Sequence, residues 1–381
     1  MRVLLIARYL QMVNHRKVMA LAAQSDIELW HIAPRQWTDG FRTYHQVLDQ
    51  GQGYHFQTVD TLPRNKNDIH RFIYWPPTLR LQQIKPDIIH IEEEPDSLAA
   101  LEVVLARRIL APKARLALFT WQNLVRPRKR LVETMARFVL NEVDFVIAGN
   151  AEAVEVTQRL GYSGPSAVLP QLGVDTTLFS PTSTTDPRSQ FNISGFTAGY
   201  IGRLIPEKGI ETLIEAAAQV EDCRLLIVGA GPLESDLQQI AHSVGFEDRL
   251  SVVNSIPHEA VPDYLRAIDV LVLPSRTTPH WKEQFGHILI EAMACGTPVI
   301  GSDSGAIPEV VGDAGLIFPE GDVPALTNYL RTLSQDQTQI ERLEQLGLAR
   351  VQALYTHEQI AQKTVEIYRT ILSSPRKRVN G

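Results

Sequence analysis

Short apolar runs alternate with longer amphipathic stretches along this chain, and the alternation begins twice. In the first half, Val3 to Ala7 predicts a buried strand, followed by a polar loop and a helix from about Arg16 to Ala23. Ile27 to Ile32 predicts the next strand, and Pro34 to Asn67 is less regular, with room for a few strands. Pro86 to Ile91 predicts a strand closed by Glu92-Glu93-Glu94-Pro95. Arg115 to Thr120, Phe145 to Ala148 and Val168-Leu169 predict three more. Helices are expected over Ser97 to Leu110, with Ser97 as N-cap, over Leu131 to Leu140, and over Glu152 to Leu160, stopped by Gly161.

Pro181 to Ser194 is rich in Ser, Thr, Asp and Pro, lacks periodicity and reads as a linker. The pattern then restarts. Strands are expected over Thr197 to Ile201, Leu225 to Val228, Leu250 to Val253, Val270 to Leu273 and Pro298 to Ile300. Helices alternate with them over Ile210 to Gln219, Leu233 to Val244 and Val261 to Arg266, and an apolar helix ends at Cys295-Gly296. The chain closes with helices of roughly Val323 to Leu333, Ile340 to Tyr355 and Glu358 to Leu372, and a basic tail, Arg376-Lys377-Arg378, that reads as solvated. This order predicts an α/β fold of two Rossmann-like domains with a cleft between them, a common place for a ligand. The expected domains are residues 1–180 and 195–360, joined by a linker at 181–194, with a C-terminal helix and tail at 361–381.

Composition fits that picture and narrows the partners. A chain of 381 residues exceeds one ordinary core. Hydrophobic content of 44% and charged content of 21% are those of a soluble globular protein. A net charge of −6 gives no basic field for nucleic acid. The two cysteines, Cys223 and Cys295, lie in separate elements, which argues against a disulfide scaffold and for a reducing compartment. No run approaches the ~18 apolar residues of a membrane span. Met1 to Ala7 is too short, and too soon interrupted by Arg8, for a signal peptide. A cytoplasmic protein is expected, with attachment to the inner face of a membrane left open.

Two stretches of the second half carry candidate chemistry. Gly202 to Gly209 follows a strand and precedes a helix. Glycines there admit close backbone approach, and the helix N-terminus offers free N–H groups to an anion. Arg203 can fork onto phosphate oxygens, and Lys208 adds a point charge. The spacing is not that of a Walker loop, and an ordinary turn with two surface cations fits the same residues. In Trp281 to Ser302, Glu283 and Glu291 are separated by seven residues, with Gln284, Phe285 and Gly286 between them. Glu291 is expected in the first turn of the helix, where the dipole favours a carboxylate, and Glu283 in the preceding loop. Both suit the hydroxyls of a sugar-containing ligand; a helix-terminal charge and a solvated loop residue is the plainer reading.

In order along the chain come Gly202…Lys208-Gly209, Gly229-Ala230-Gly231-Pro232, Leu273-Pro274-Ser275, Glu283-x7-Glu291, Glu291 to Val299, and Gly305 to Val311. As an ordered set this resembles the retaining glycosyltransferases of family 4, the glycosyl transferases group 1, which have the GT-B fold. The resemblance covers residues 197–320, and Leu169 to Asp175 with Phe179 resembles the family's domain-crossing segment. It implies two domains facing each other across a cleft, with the C-terminal helix returning to the N-terminal domain. It implies catalytic roles for Arg203, Lys208 and Glu283. Arg203 and Lys208 would hold the diphosphate of a nucleotide-sugar donor, and Glu283 would face the donor sugar. The implied donor-binding set is Gly202, Gly229, Gly231, Gln284, Phe285, Gly286 and Glu291, with Glu291 on the ribose hydroxyls. It implies no cofactor and no metal, the two cations taking the metal's place; no residues stand at metal-ligand spacing.

The N-terminal half departs from the family. Many members carry a Gly-Gly loop after the first strand, where this chain reads Arg8 to Lys17 without glycine. Asn14 as a cap, with His15, Arg16 and Lys17 in the next helical turn, would supply replacement donors or form a capped helix with a solvated basic turn. Many members carry a histidine after a central strand, where this chain has Gln122 and Asn123. Glu94, with Glu92 and Glu93, is either an acceptor-binding group or part of an exposed acidic loop. Trp37 and Trp75 either stack on sugar rings or pack internally. Arg126, Arg128, Lys129 and Arg130 either touch anionic lipid or acceptor phosphate, or form a solvated helix start.

The expectation is a retaining, metal-independent glycosyltransferase. It would move a sugar, hexosyl in type, from a nucleotide-diphosphate sugar to a saccharide or lipid-linked saccharide in polysaccharide or glycolipid biosynthesis. A nucleotide-sugar epimerase of the same fold and a non-catalytic nucleotide-sugar-binding subunit are the alternatives.

Overall fold

The computed structural model describes residues 1–38, 43–45, 53–62, 68, 70–182, 186–191 and 193–375. The tail Arg376-Lys377-Arg378 lies outside these residues, as do parts of the 34–67 stretch and of the 181–194 segment. The chain forms two compact units: Met1–Gly173 with His357–Gly381, and Val174–Thr356.

The first unit holds β1 (Arg2–Ile6), β2 (Glu28–Pro34), β3 (Gln36–Thr38), β4 (Thr43–His45), β5 (His55–Val59), β6 (Ile88–Ile91), β7 (Arg115–Thr120), β8 (Phe145–Ala148) and β9 (Ser166–Val168). Seven of them make a parallel sheet in the order β5-β2-β1-β6-β7-β8-β9, and β3 pairs with β4 alone. Every residue of β6, β7 and β8 is buried, as near-continuous apolar runs require when helices cover both faces. Ser97 caps the helix Leu98–Leu110 by accepting from the Ala100 amide at 3.1 Å, and Asn150 caps Ala151–Arg159 in the same way at 2.9 Å. The C-terminal helix His357–Ser373 packs in this unit against Met12–Ala22. Its Tyr368 hydroxyl lies 2.7 Å from His90 Nδ1 on β6.

The second unit holds β10 (Thr197–Ile201), β11 (Arg224–Val228), β12 (Leu250–Val253), β13 (Val270–Leu273), β14 (Val299–Ser302) and β15 (Leu316–Phe318). They form one parallel sheet in the order β12-β11-β10-β13-β14-β15. Each large sheet reverses its winding beside its first strand, between β1 and β6 and between β10 and β13. In open α/β sheets a ligand crevice forms at that switch point, beyond the carboxyl ends of the strands.

Several sequence-based expectations shift. The first long helix begins at Met12, with Gln11 at its N-cap, so Asn14 lies inside the helix and caps nothing. His15, Val18 and Leu21 are buried at helical spacing. The buried face therefore starts among residues that look like a solvated basic turn. The 181–194 segment carries a short helix, Pro187–Gln190, whose Arg188 pairs with Asp269 at 2.9 Å. It is fastened to the second unit, and the unit boundaries fall at 173 and 356, where 180 and 360 were expected. The helix after Gly286 starts at His287 and has no acid in its first turn, so Glu291 lies one turn deeper than expected.

Candidate functional site

The second unit's switch point is built from the loops that follow β10 and β13. After β10, Gly202 donates to Val228 O at 2.9 Å, holding this loop against the end of β11. A Cβ on Gly229 would come within 1.9 Å of Gly202 O, and one on Gly231 within 2.3 Å of Leu204 O. The two glycines are thus needed for the close approach of two backbone loops, which is a packing duty in addition to any ligand duty. Arg203 is exposed, while its carbonyl accepts from the buried Tyr200 hydroxyl at 2.7 Å. Lys208 ends a short turn, Pro206–Lys208, from which the helix Ile210–Ala218 departs.

The loop after β13 brings the carboxylates. Lys208 Nζ lies 2.5 Å from Glu283 Oε2, which also accepts from Ser275 Oγ at 2.9 Å. The same ammonium stands 5.0 Å from the Trp281 ring centroid. Gly286, at φ +82°, takes the left-handed turn that starts the helix His287–Ala294. Glu291 on that helix places Oε1 2.9 Å from His258 Nε2. Gln284 is exposed, but the Phe285 side chain is buried against His287 and Tyr355 and leaves only its backbone for a ligand. Lys208 and Glu283 thus meet directly, while Arg203 lies in the loop after β10 and Glu291 reaches across to His258, which follows β12.

The first unit has its own pocket at the β1–β6 switch point, of about 350 Å³, lined by Arg8, Tyr9, Gln11, Asn14, Glu92 and Gln171 among others. Its floor is ionic. Lys17 Nζ and the Tyr9 hydroxyl both donate to the buried Glu92 carboxylate, and Gln171 Nε2 donates to it at 2.9 Å. Burial opposes the charge on Glu92, but the Lys17 ammonium beside it holds its pKa below the usual range. Arg8 Nε donates to Glu93 at 3.2 Å, and its guanidinium stacks 4.9 Å over Trp37. Burial raises the Glu93 and Glu94 pKa values in spite of their partners. The three glutamates are therefore a structured, largely buried set, and the exposed acidic loop is not observed.

The acceptor-side residues separate. Asn14 lines the pocket. His15 does not: its Nδ1 lies 2.5 Å from the Tyr54 hydroxyl and its Nε2 3.1 Å from Tyr9 O, so both ring nitrogens are engaged inside the fold. Glu94 accepts from Thr120 Oγ1 at 2.5 Å and from the Trp121 amide at 3.0 Å. Gln122 donates to Asp96 at 2.5 Å and accepts from Arg128 at 2.5 Å, while Asn123 reaches Glu152 at 3.4 Å. Arg128 also pairs with Asp96 at 2.8 Å and is nearly buried, which removes it from the basic surface; Arg126, Lys129 and Arg130 remain exposed. Among the described residues, no three His, Cys, Asp or Glu side chains gather as a metal site requires.

Sequence reasoning gave no site role to Arg8, Tyr9 and Gln171, or to His258 and Trp281 on the other unit, and it raised Glu92 and Lys17 separately without pairing them. Only the position of Arg8 and Tyr9, directly after the first strand, hinted at a switch point.

Known proteins bear on both units. The profile described as Glycosyl transferases group 1 matches residues 184–349. A GDP-mannose-dependent monoacylated alpha-(1-6)-phosphatidylinositol monomannoside mannosyltransferase of Corynebacterium glutamicum is 32% identical over 216 residues, 54% of this chain and 55% of that protein. The lipopolysaccharide core biosynthesis mannosyltransferase LpsB of Rhizobium meliloti is 27% identical over 317 residues, 75% of this chain and 84% of that one. An alpha-D-kanosaminyltransferase of Streptomyces kanamyceticus matches over 45% of each chain, so this chain spans about half the length of several relatives it matches. Among solved structures, a sucrose-phosphate synthase from Thermosynechococcus elongatus superposes with a TM-score of 0.74 at 23% identity, covering 98% of this chain and 100% of that one. Anabaena HepE in complex with UDP superposes with a TM-score of 0.75 at 19% identity, covering 97% and 100%. At those identities the likeness speaks for the fold, a GT-B pair of parallel-sheet α/β units, and no helix among the described residues is long and apolar enough to cross a membrane. The likeness to the glycosyl transferases group 1 is carried by residues 184–349.

Proposed function

We propose that this protein is a retaining glycosyltransferase that uses a nucleotide-diphosphate sugar and needs no metal. The observation that carries the reading is the contact of Lys208 with Glu283 beyond β10 and β13, with Arg203 in the first of those two connections and Glu291 on the helix that closes the second. Cleavage of the bond between the anomeric carbon and the phosphate oxygen leaves negative charge on the diphosphate. Arg203 and Lys208 neutralise it, as fixed positive charge stabilises developing anions. Glu283 accepts from donor-sugar hydroxyls and Glu291 from the ribose. The acceptor oxygen attacks the same face of the anomeric carbon, and its proton passes to the departing phosphate oxygen.

The acceptor is a saccharide or lipid-linked saccharide, held at the Arg8–Asn14–Glu92 pocket of the first unit. Support for a lipid-linked acceptor comes from the relative in Corynebacterium glutamicum, whose name specifies a phosphatidylinositol mannoside. Exposed Arg126, Lys129 and Arg130 beside exposed Val125 and Leu131 suit contact with an anionic membrane at its cytoplasmic face.

Release of nucleotide from UDP-, GDP- and ADP-sugars, with and without saccharide acceptors, tests the reading. One donor is expected to be hydrolysed slowly and consumed faster with an acceptor. Lys208→Ala and Glu291→Ala are each expected to lower kcat/KM more than tenfold, on the order of 1.4 kcal/mol or more. Tight binding of a donor without turnover would favour the non-catalytic subunit instead.

A further inference from the structure

Glu291 has a dedicated partner. His258 opens the short turn His258–Ala260 between β12 and the helix Val261–Ala267, and its Nε2 lies 2.9 Å from Glu291 Oε1. The imidazole packs 5.2 Å from the ring of Phe179, which is fully buried, so one side of the histidine rests on the core. Its side chain is 38% exposed and that of Glu291 16%, so the pair is open to solvent and to a ligand. The charges around the ring come from three elements. Glu291 and His287 face it from the helix His287–Ala294, Glu259 from its own turn, and Asp175 from the 174–180 segment. The hydrogen bond to Glu291, with these carboxylates, raises the His258 pKa against the effect of burial.

We propose that His258 is a positioning residue: it fixes Oε1 of Glu291 and so presents Oε2 to the paired hydroxyls of a nucleoside diphosphate. The proposal rests on the ribose role of Glu291 given above. An isolated glutamate samples several rotamers, and a ligand must order it on binding. A charge-assisted bond imposes that order beforehand and is roughly twice as strong as a neutral one. The hold therefore weakens as pH rises and His258 loses its proton.

Calorimetric titration of the full chain with UDP, GDP and ADP between about pH 5.5 and 9 tests this. For the nucleotide that binds, wild-type affinity is expected to fall about threefold to tenfold more on the alkaline side than in His258→Gln, whose amide donates without titrating. Titration of the nucleotide's own phosphate is common to both proteins and cancels. His258→Ala is expected to weaken binding at every pH, with an unchanged thermal midpoint showing that the fold is intact. If Glu291→Gln binds like wild type, or no nucleotide binds, the ribose reading falls and takes this proposal with it. If Glu291→Gln weakens binding while wild type and His258→Gln share one pH profile, only the positioning role is overturned.

Discussion

Lys208 Nζ and Glu283 Oε2 lie 2.5 Å apart, so the group that the family pattern assigns to the donor diphosphate and the one that it assigns to the donor sugar hold each other. Both side chains are largely buried, and Glu283 is further fixed by Ser275 Oγ at 2.9 Å. The carboxylate occupies the place of an anion beside Lys208, and a donor diphosphate competes with it for the ammonium. Glu283→Gln is therefore expected to shift the two halves of function in opposite directions. Its affinity for a nucleoside diphosphate lacking the sugar rises, by about threefold to tenfold, because Lys208 no longer has an anionic partner. Its turnover with the full donor falls more than tenfold, because the sugar loses its carboxylate. Calorimetry and steady-state kinetics on one preparation separate the effects, and weaker nucleotide binding would count against the competition.

Chelation provides a second test. With Arg203 and Lys208 as the charge partners of the diphosphate, EDTA is expected to leave transfer largely intact, while Lys208→Ala loses more than tenfold in kcat/KM. Complete loss in EDTA, restored by Mg²⁺ or Mn²⁺, would overturn the metal-free mechanism.

The second unit was legible in the sequence because its strands are short apolar runs, several of which end at glycine or proline: Gly202 after β10, Gly229 after β11 and Pro274 after β13. Thr197–Ile201, Leu250–Val253 and Val270–Leu273 are observed with the expected limits. Gly202 and Gly229 of that unit sit directly after strands, and its carboxylates keep a fixed spacing in the chain, so they could be read as a set. The first unit was less legible for a physical reason: its polar residues are buried in pairs. Lys17 and Glu92 stand 75 positions apart, and each looks solvated by itself; only the adjacency of β1 and β6 makes them one buried pair. The same holds for Arg128, which belongs to Asp96 and Gln122, although it sits within a run of cations. Glu291 was placed a turn too early because the start of its helix is set by the backbone of Gly286, which no periodicity reveals.

The basic segment yields a prediction that separates its members. Leu131 is 81% exposed and Val125 56%, flanking exposed Arg126, Lys129 and Arg130. Cosedimentation with phosphatidylglycerol vesicles is expected, weakening with salt. Lys129→Glu with Arg130→Glu removes about 1 kcal/mol per lost cation or more and is expected to reduce binding at least tenfold without lowering the thermal midpoint. Arg128→Ala acts differently: it takes the guanidinium from the buried Asp96, leaving that carboxylate only His70 and Gln122, and is expected to lower the midpoint. Equal binding to neutral and anionic vesicles would exclude the electrostatic contact.

Two buried groups of the first unit give opposite pH dependences that single substitutions can resolve. His31 on β2 is fully buried with Nε2 unpartnered, and burial pushes its pKa down to about 3. Between an unfolded pKa near 6.5 and that value, only the unfolded chain binds the proton, so acidification destabilises the fold. Glu102 lies in the helix Leu98–Leu110 with Oε2 accepting from the Tyr74 amide at 2.6 Å, and burial pushes its pKa up to about 7. Its folded form retains a proton that the unfolded carboxyl has released, so stability from this group is present below about pH 4.5 and is lost as pH rises through about 7. Glu102→Gln should therefore exceed wild type in stability at about pH 8, by ~2 kcal/mol, with the advantage gone by about pH 4.5. His31→Phe, compared between about pH 7 and 5, should lose ~2 kcal/mol less than wild type over that span. Urea denaturation of the three proteins at each pH measures both differences. Parallel pH profiles would show that neither group carries the perturbation that its burial demands.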